Sequence, residues 1–301
     1  RYIAVTGVQT CALPISPEQR RFACTANDLE ELCRWEQEAR PALRALVGLE
    51  AIADQTAGHV PAVALEEPEQ MDGYARRYGR ITTEPGVSLP FWLLQPEGEG
   101  PFPLALTPHG HDPRGHHTSV GIPWEGMPAD RMQEEDRDVA VQAVRRGFFT
   151  IAPATRGIAF GCTEDDGRYD KRCRAHSIVC IAAGRSSIGE RVWDMGCLID
   201  WAGARDDVDT ETVLMLGNSG GGVVTLFSAA CDRRITIAIP SCAYAPFLNA
   251  EARLMHCDCN LVPRIMRFGE VWDVGALIAP RPLLIVHGRT DATRTGTEID
   301  Q

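Results

Sequence analysis

Gly217-Asn218-Ser219-Gly220-Gly221 sets a serine among small residues. The apolar run Thr212-Val213-Leu214-Met215-Leu216 precedes it, and Gly222-Val223-Val224-Thr225-Leu226-Phe227-Ser228-Ala229-Ala230 follows. A strand, a glycine-flanked serine and a helix, in that order, form the pattern of a nucleophile elbow. The turn presents the hydroxyl in a strained backbone, and only small neighbours let strand and helix pass so closely. Such a serine can attack a carbonyl carbon when a base takes its proton and N–H donors receive the developing negative charge. Ser219 is the candidate nucleophile, and the N–H of Gly220 is one candidate donor.

Two further strand ends carry matching chemistry. His109-Gly110-His111 follows the strand-like run 102–107. A His-Gly turn there can aim a second backbone N–H at an oxyanion, so Gly110 and His111 are candidates for the oxyanion hole. Leu283-Leu284-Ile285-Val286 leads through His287-Gly288-Arg289-Thr290 to Asp291. A carboxylate in that place can accept from the Nδ1–H of a histidine and hold its tautomer. The order in this scheme is Ser, Asp, His. All eight histidines precede Asp291, and ten residues follow it. The base is therefore expected beyond Gln301, with the chain truncated before its last strand and helix and nearly inactive as it stands.

The elements that must position these residues follow from periodicity. Residues 26–49 show apolar positions three or four apart, predicting a helical pair, with Pro41 opening the second piece and Gly48 closing it. An acidic connector, 50–75, leads to strands at 79–83, 88–95 and 102–107. Pro90 would confine the middle one to an edge or a bulge. A helix is expected over 133–146 and a buried strand over 148–152. Then come a helix over 186–204, the strand 212–216, the elbow and its helix, and strands 235–239 and 283–286. Strands alternating with helices imply an α/β fold, its mostly parallel sheet covered on both faces. The expected organisation is a helical segment and connector over 17–75 and a catalytic domain over 76–301. Residues 242–279 are read as a cap-like insertion within that domain.

Bulk properties narrow the function classes. The 301 residues are 44% hydrophobic and 24% charged, ordinary for a globular chain. A net charge of −11 argues against nucleic acid as a partner and offers no basic face to a membrane. Lys171 is the only lysine. The 11 cysteines have no repeated spacing, so they are not read as a disulfide framework. His256-Cys257-Asp258-Cys259 has soft ligands but no second Cys or His pair at zinc-finger spacing, so neither metal nor cofactor is expected. Trp193, Cys197 and Trp201 read as a packed helix face, and Glu164-Asp165-Asp166 as a solvated turn. Asp112, His116 and His117 are candidates to line the pocket. Residues 5–15 resemble the conceptual translation of a sequencing adapter, so 1–16 are set aside. Compartment and oligomeric state are left open.

Over roughly residues 75–301 the chain resembles the α/β-hydrolase superfamily. The resemblance is closest to its acetyl-xylan-esterase-like and dipeptidyl-peptidase-like bacterial branch. Four stretches carry it: Ala152-Pro153-Ala154-Thr155-Arg156-Gly157, the run from Gly184 to Asp194, the run from Gly217 to Gly222, and Asp273 to Leu284 with its Ala-Pro-Arg-Pro entry into a strand. The resemblance implies Ser219 as nucleophile, Asp291 as triad acid and an oxyanion hole from Gly220 and the loop at Gly110. It implies a short acyl group on a small-molecule or carbohydrate ester as substrate, with no cofactor. A prolyl-oligopeptidase-type peptidase would need a larger N-terminal domain than 17–75 provides. An inactive binding protein on the same scaffold would have no reason to keep a strained serine turn. Serine in place of cysteine argues against a dienelactone hydrolase.

Overall fold

The computed structural model describes residues 19–112, 114–158, 172–248 and 254–288. The adapter-like segment, the acidic turn at 164–166 and Asp291 lie outside the described residues. Two helices lead the described chain, α1 (Leu29–Val47) and α2 (Leu49–Gln55). The Asp28 side chain caps α1 by accepting from Glu31 N–H, and Gly48 ends it at φ 95. The expected helical pair 26–49 is one helix that runs through Pro41. A buried face of Ala39, Leu43 and Val47 against the core outweighs the hydrogen bond that proline removes.

Strands β1 (Val63–Leu65), β2 (Glu69–Gln70), β3 (Tyr74–Glu84), β4 (Val87–Pro96) and β5 (Phe102–Leu106) come next. Short helices α3 (His116–Ser119), α4 (Ala129–Glu134) and α5 (Val139–Val144) lead to β6 (Phe149–Pro153). The expected single helix 133–146 is thus two pieces, broken where Asp136 takes φ 51. Beyond lie α6 (Arg172–Ala182), α7 (Ser187–Gly203), β7 (Val208–Asn218), α8 (Gly220–Cys231) and β8 (Ile237–Ser241). A 3-10 turn (Asp258–Asn260), α9 (Ile265–Phe268) and α10 (Val271–Ala276) complete the described elements.

The eight strands form one mixed sheet in the order β1-β3-β4-β6-β5-β7-β8, with β2 beside β3. Pairs from β1 to β6 are antiparallel, whereas β6–β5, β5–β7 and β7–β8 are parallel. The turn at Ser219 lies at the parallel half. Segment 283–286, expected as a strand, runs parallel to β8 through two isolated bridges, Ala238–Leu283 and Ser241–Val286.

Pro90 does not put β4 at an edge: β4 lies between β3 and β6, and Pro90 pairs in register with Arg80. Its carbonyl accepts from Ala154 N–H (2.9 Å). In an antiparallel ladder both polar groups of a residue point to the same neighbour. The missing N–H therefore falls where β6 has ended at Pro153, not within the β3 ladder.

The main core lies between sheet and helices. It gathers Phe91, Phe149, Leu198, Phe227 and Ile278, among others. Segment 242–279 contributes Phe247, Val262, Ile265, Phe268 and Val274 to that same core. The Trp193–Cys197–Trp201 face packs as the spacing implies. Cys197 is buried, Trp193 Nε1 donates to Thr83 O (2.9 Å), and the Trp201 ring lies 5.5 Å from Phe91.

A buried ionic network ties two of the family-like stretches together. Arg156 bonds Glu84 (2.5 Å) and Thr83 Oγ1 (3.0 Å), and its Nε donates to Asp194 (3.0 Å). Arg185 bridges Glu84 (2.7 Å) and Glu190 (3.1 Å), and His176 reaches Glu190 at 3.0 Å. Burial acts to raise the Glu190 carboxyl, but the hydrogen bond from His176 and the Arg156 charge outweigh it and hold it at about 2.

Candidate active site

Ser219 stands between β7 and α8 with φ 56 and ψ −118, in the region that non-glycine residues seldom adopt. Its N–H donates to Ser241 O at the end of β8 (2.8 Å), and its carbonyl accepts from Val223 N–H (3.0 Å). Both backbone ends of the turn are thereby fixed, which is how a backbone cost of about 1–3 kcal/mol persists in a folded protein. The surrounding glycines are steric requirements. A methyl on Gly221 would fall onto the carbonyl oxygen of Pro108, and one on Gly217 would lie 2.8 Å from that same oxygen. The expected elbow is present, at the carboxyl end of a parallel strand.

The loop after β5 packs directly on this turn. A methyl on Gly110 would stand 3.0 Å from Ser219 Cβ and 3.1 Å from Gly220 N. Gly110 and Gly220 thus face one another beside the serine, at the positive end of the twelve-residue α8. His109 locks the loop. Its Nε2 accepts from Thr155 N–H (2.7 Å), so Nδ1 carries the proton and donates to Gly110 O (2.7 Å). Thr155 Oγ1 also donates to His109 O (2.8 Å). Burial lowers the His109 pKa to about 4, so the ring stays neutral. With both nitrogens engaged, His109 is a brace and not an available base.

Asp112 orders the rest of the loop, its Oδ1 accepting from Arg114 N–H, Gly115 N–H and Thr118 Oγ1 at 2.8–3.0 Å. It lines a cleft of about 540 Å³ with Gly110, His111, Asn218, Ser219, Ser241 and Val286. His116 and His117, expected as pocket candidates, pack instead behind the loop. His116 is buried among His117, Tyr78 and His109, and His117 Nδ1 accepts from Trp92 Nε1 (3.0 Å). A separate cleft of about 340 Å³ lies along α2, α7 and the end of α8, lined by Arg44, Trp193 and Arg234 away from the elbow. Its lining includes His59, Cys197, Ser228 and Cys231, but His59 Nε2 is bonded to Thr82 O (2.8 Å), and Cys197, Ser228 and Cys231 are buried.

His111 is exposed, and its ring lies against the start of α8: a methyl on Gly220 would stand 3.1 Å from its Cε1 and Nδ1. The other nitrogen faces away, with Nε2 3.3 Å from Cys259 Sγ. Sequence reading did not anticipate that contact. Cys257 and Cys259 are joined there by Cys173, 84 residues away from Cys257, and by His111, 148 residues away from Cys259. The Cys-x-Cys pair was visible in the sequence, but its partners come from the start of α6 and from the loop after β5.

Ser219, Gly220, Gly110 and His111 lie together, and Asp291 lies outside the described residues.

No family model matches the chain. Over 219 residues, 70% of this chain and 68% of the other, it is 23% identical to a Bacillus subtilis (strain 168) protein named "Putative hydrolase YtaP". Among solved structures it is similar to one titled a putative acetyl xylan esterase from Bacteroides fragilis NCTC 9343. That match has 17% identity and a TM-score of 0.72, covering 88% of this chain and 71% of that one. A glucuronoyl esterase from Solibacter usitatus matches at 16% identity and a TM-score of 0.59, covering 95% and 82%. The mixed sheet, the strand–serine–helix turn at its parallel end and these likenesses together give the chain the α/β-hydrolase fold.

Proposed function

We propose that this protein is a serine hydrolase of carboxylic esters, acting on a short acyl group, acetyl above all, carried by a carbohydrate. The observation that carries the reading is Ser219 at φ 56, held at both ends beside the Gly110 loop. In this reading the Ser219 oxygen attacks the ester carbonyl. The N–H of Gly220 and an N–H of the Gly110–His111 segment receive the charge on the tetrahedral intermediate. Collapse expels the alcohol, which takes up a proton from the base, and water then releases the acid from the acyl-serine. Asp291 orients the base. His109 cannot serve as that base, for both its nitrogens are bound. The names of the structural relatives support the substrate class, and the cleft of about 540 Å³ is of a size for a sugar ester.

The test is fluorophosphonate labelling of the protein, followed by peptide mapping. Label on Ser219, abolished by Ser219→Ala, is the expected result. An active preparation labelled elsewhere would overturn the assignment. Comparing acetylated xylooligosaccharides with peptide amides then tests the substrate class.

A further inference from the structure

The described part of the molecule holds two groups of His, Cys, Asp and Glu side chains whose ligand atoms all lie within 4.8 Å of one another. One is His176, Cys180 and Glu190. There Glu190 is already committed to Arg156 and Arg185, so its charge is spent on guanidinium partners. The other is His111, Cys173, Cys257 and Cys259. There the Cys257 thiol donates to Asp258 Oδ1 (3.3 Å) and the Cys259 thiol to Asn260 Oδ1 (3.6 Å), contacts that are given up with the thiol protons when a metal binds.

From this second group we infer that the protein binds one zinc ion through His111 Nε2 and the sulfurs of Cys173, Cys257 and Cys259. Three thiolates and one imidazole are a donor set that structural zinc takes, and soft sulfur ligands select it over magnesium or calcium. The spacing fits the same ion. Tetrahedral bonds of about 2.3 Å to sulfur set neighbouring sulfurs about 3.8 Å apart, and an imidazole nitrogen in one place shortens that edge to about 3.6 Å. Cys173 and Cys257 Sγ are 3.8 Å apart, and His111 Nε2 lies 3.3 Å from Cys259 Sγ. A disulfide would need its two sulfurs at about 2.05 Å and would leave the third cysteine and the histidine without a purpose.

The surroundings suit a site carrying net negative charge. Binding converts three thiols to thiolates and releases their protons to solvent, so zinc with its four ligands carries one negative charge. Arg191, fully buried, donates to the Cys259 carbonyl (3.2 Å) and to Asn260 Oδ1 (3.0 Å), which puts a cation beside it. Asp258, between the two cysteines, is held by Arg174. Cys173 and Cys259 are buried, Cys257 is half-buried and His111 opens to solvent, giving the ion a way in.

All four positions of the tetrahedron are filled by side chains, so the ion would be structural. It would join the start of α6, the 3-10 turn and the loop after β5. Through His111 it would fix the Gly110–His111 backbone against α8. The inference does not rest on the esterase reading, since its readout is metal content.

The experiment is metal analysis of the untagged chain purified from zinc-supplemented culture under reducing conditions. About one equivalent of zinc is expected to survive dialysis. Cys257→Ser with Cys259→Ser should bring the content down at least tenfold, and so should His111→Ala with Cys173→Ser, while Cys33→Ser on the surface should leave it unchanged. Should those variants fail to fold, the unaltered protein still decides the matter. Cobalt should give thiolate charge-transfer bands and intense tetrahedral visible bands, and zinc should protect Cys173, Cys257 and Cys259 from alkylation in a mass-mapped assay. The inference is overturned if the reduced protein takes up no stoichiometric metal and the three cysteines alkylate equally fast with and without zinc. It is equally overturned if a disulfide within the trio is the form recovered and its reduction restores no metal binding.

Discussion

The elbow at Ser219 and the sulfur–imidazole group at His111 sit on opposite sides of one glycine, Gly220, yet they are specified in opposite ways. The elbow's own residues are local. The β7 strand, the small residues 217–222 and α8 are contiguous, although the atoms that make glycine obligatory lie partly on Pro108, Ser241 and Ala243. The second group is assembled from three segments, with ligand separations of 84 and 148 residues. A local motif announces itself through spacing. A site closed by topology announces itself only once the sheet order is known.

The largest effect expected tests the elbow. On the proposed reading, Ser219→Ala should lower ester turnover by at least about 10⁴-fold, the scale of losing a nucleophile that works with a base. Thermal stability should hardly move, because the hydroxyl is small and half-buried. Equal losses of activity and fold would mean that Ser219 is structural.

The second test sharpens the other side. If zinc closes the sulfur group, a strong chelator should destabilise the reduced protein by about 4 kcal/mol at an ion concentration a thousandfold above Kd. Cys259→Ser should abolish that sensitivity. Chemical denaturation with and without chelator measures both. A chelator effect that persists in the variant would move the metal to some other place.

Most of the fold was legible for the same reason as the elbow. The helix at Ser187–Gly203, the strand at Phe149–Pro153 and the parallel half of the sheet follow periodicities of 3.6 and 2 that a window of residues contains. The misses are places where a distant partner overrode a local rule. Pro41 stays inside α1 because Ala39, Leu43 and Val47 need one continuous face on the core. Pro90 stays inside the sheet because β6 ends where its absent N–H would have bonded. The site divides likewise. Ser219, Gly220 and Gly110 were readable from spacing, whereas the brace formed by His109 and Thr155, 46 residues apart, was not.

A third, smaller effect concerns the packing behind the loop that both regions share. Neither ring nitrogen of His116 has a hydrogen-bond partner, and burial, followed by the neighbouring His117 and His109, holds its pKa at about 2. A histidine kept neutral in the fold but titrating near 6.5 when unfolded stabilises the protein above pH 6.5. That contribution is lost progressively as pH falls from 6.5 towards 2. His116→Phe keeps the ring among Tyr78 and His117 while removing two unpaired polar atoms. It should raise stability at pH 7 by about 1–3 kcal/mol and flatten the acid slope relative to the parent. Denaturant titrations at pH 7, 5.5 and 4.5 give both numbers, and an unchanged slope would mean His116 is partnered in solution.

The smallest effect isolates what distinguishes the two regions, the strain that one of them stores. Ser219→Gly removes the Cβ that makes φ 56 costly, recovering about 1–3 kcal/mol, and concedes about 0.5–1 kcal/mol to the greater freedom of glycine in the unfolded chain. The net gain should be about 1 kcal/mol. Ser219→Ala loses the same hydroxyl but keeps the Cβ, so the difference between the two variants reports the backbone term alone. If glycine proves no more stable than alanine there, the turn holds no stored strain, and the reason for keeping a serine in that conformation must be sought in its contacts instead.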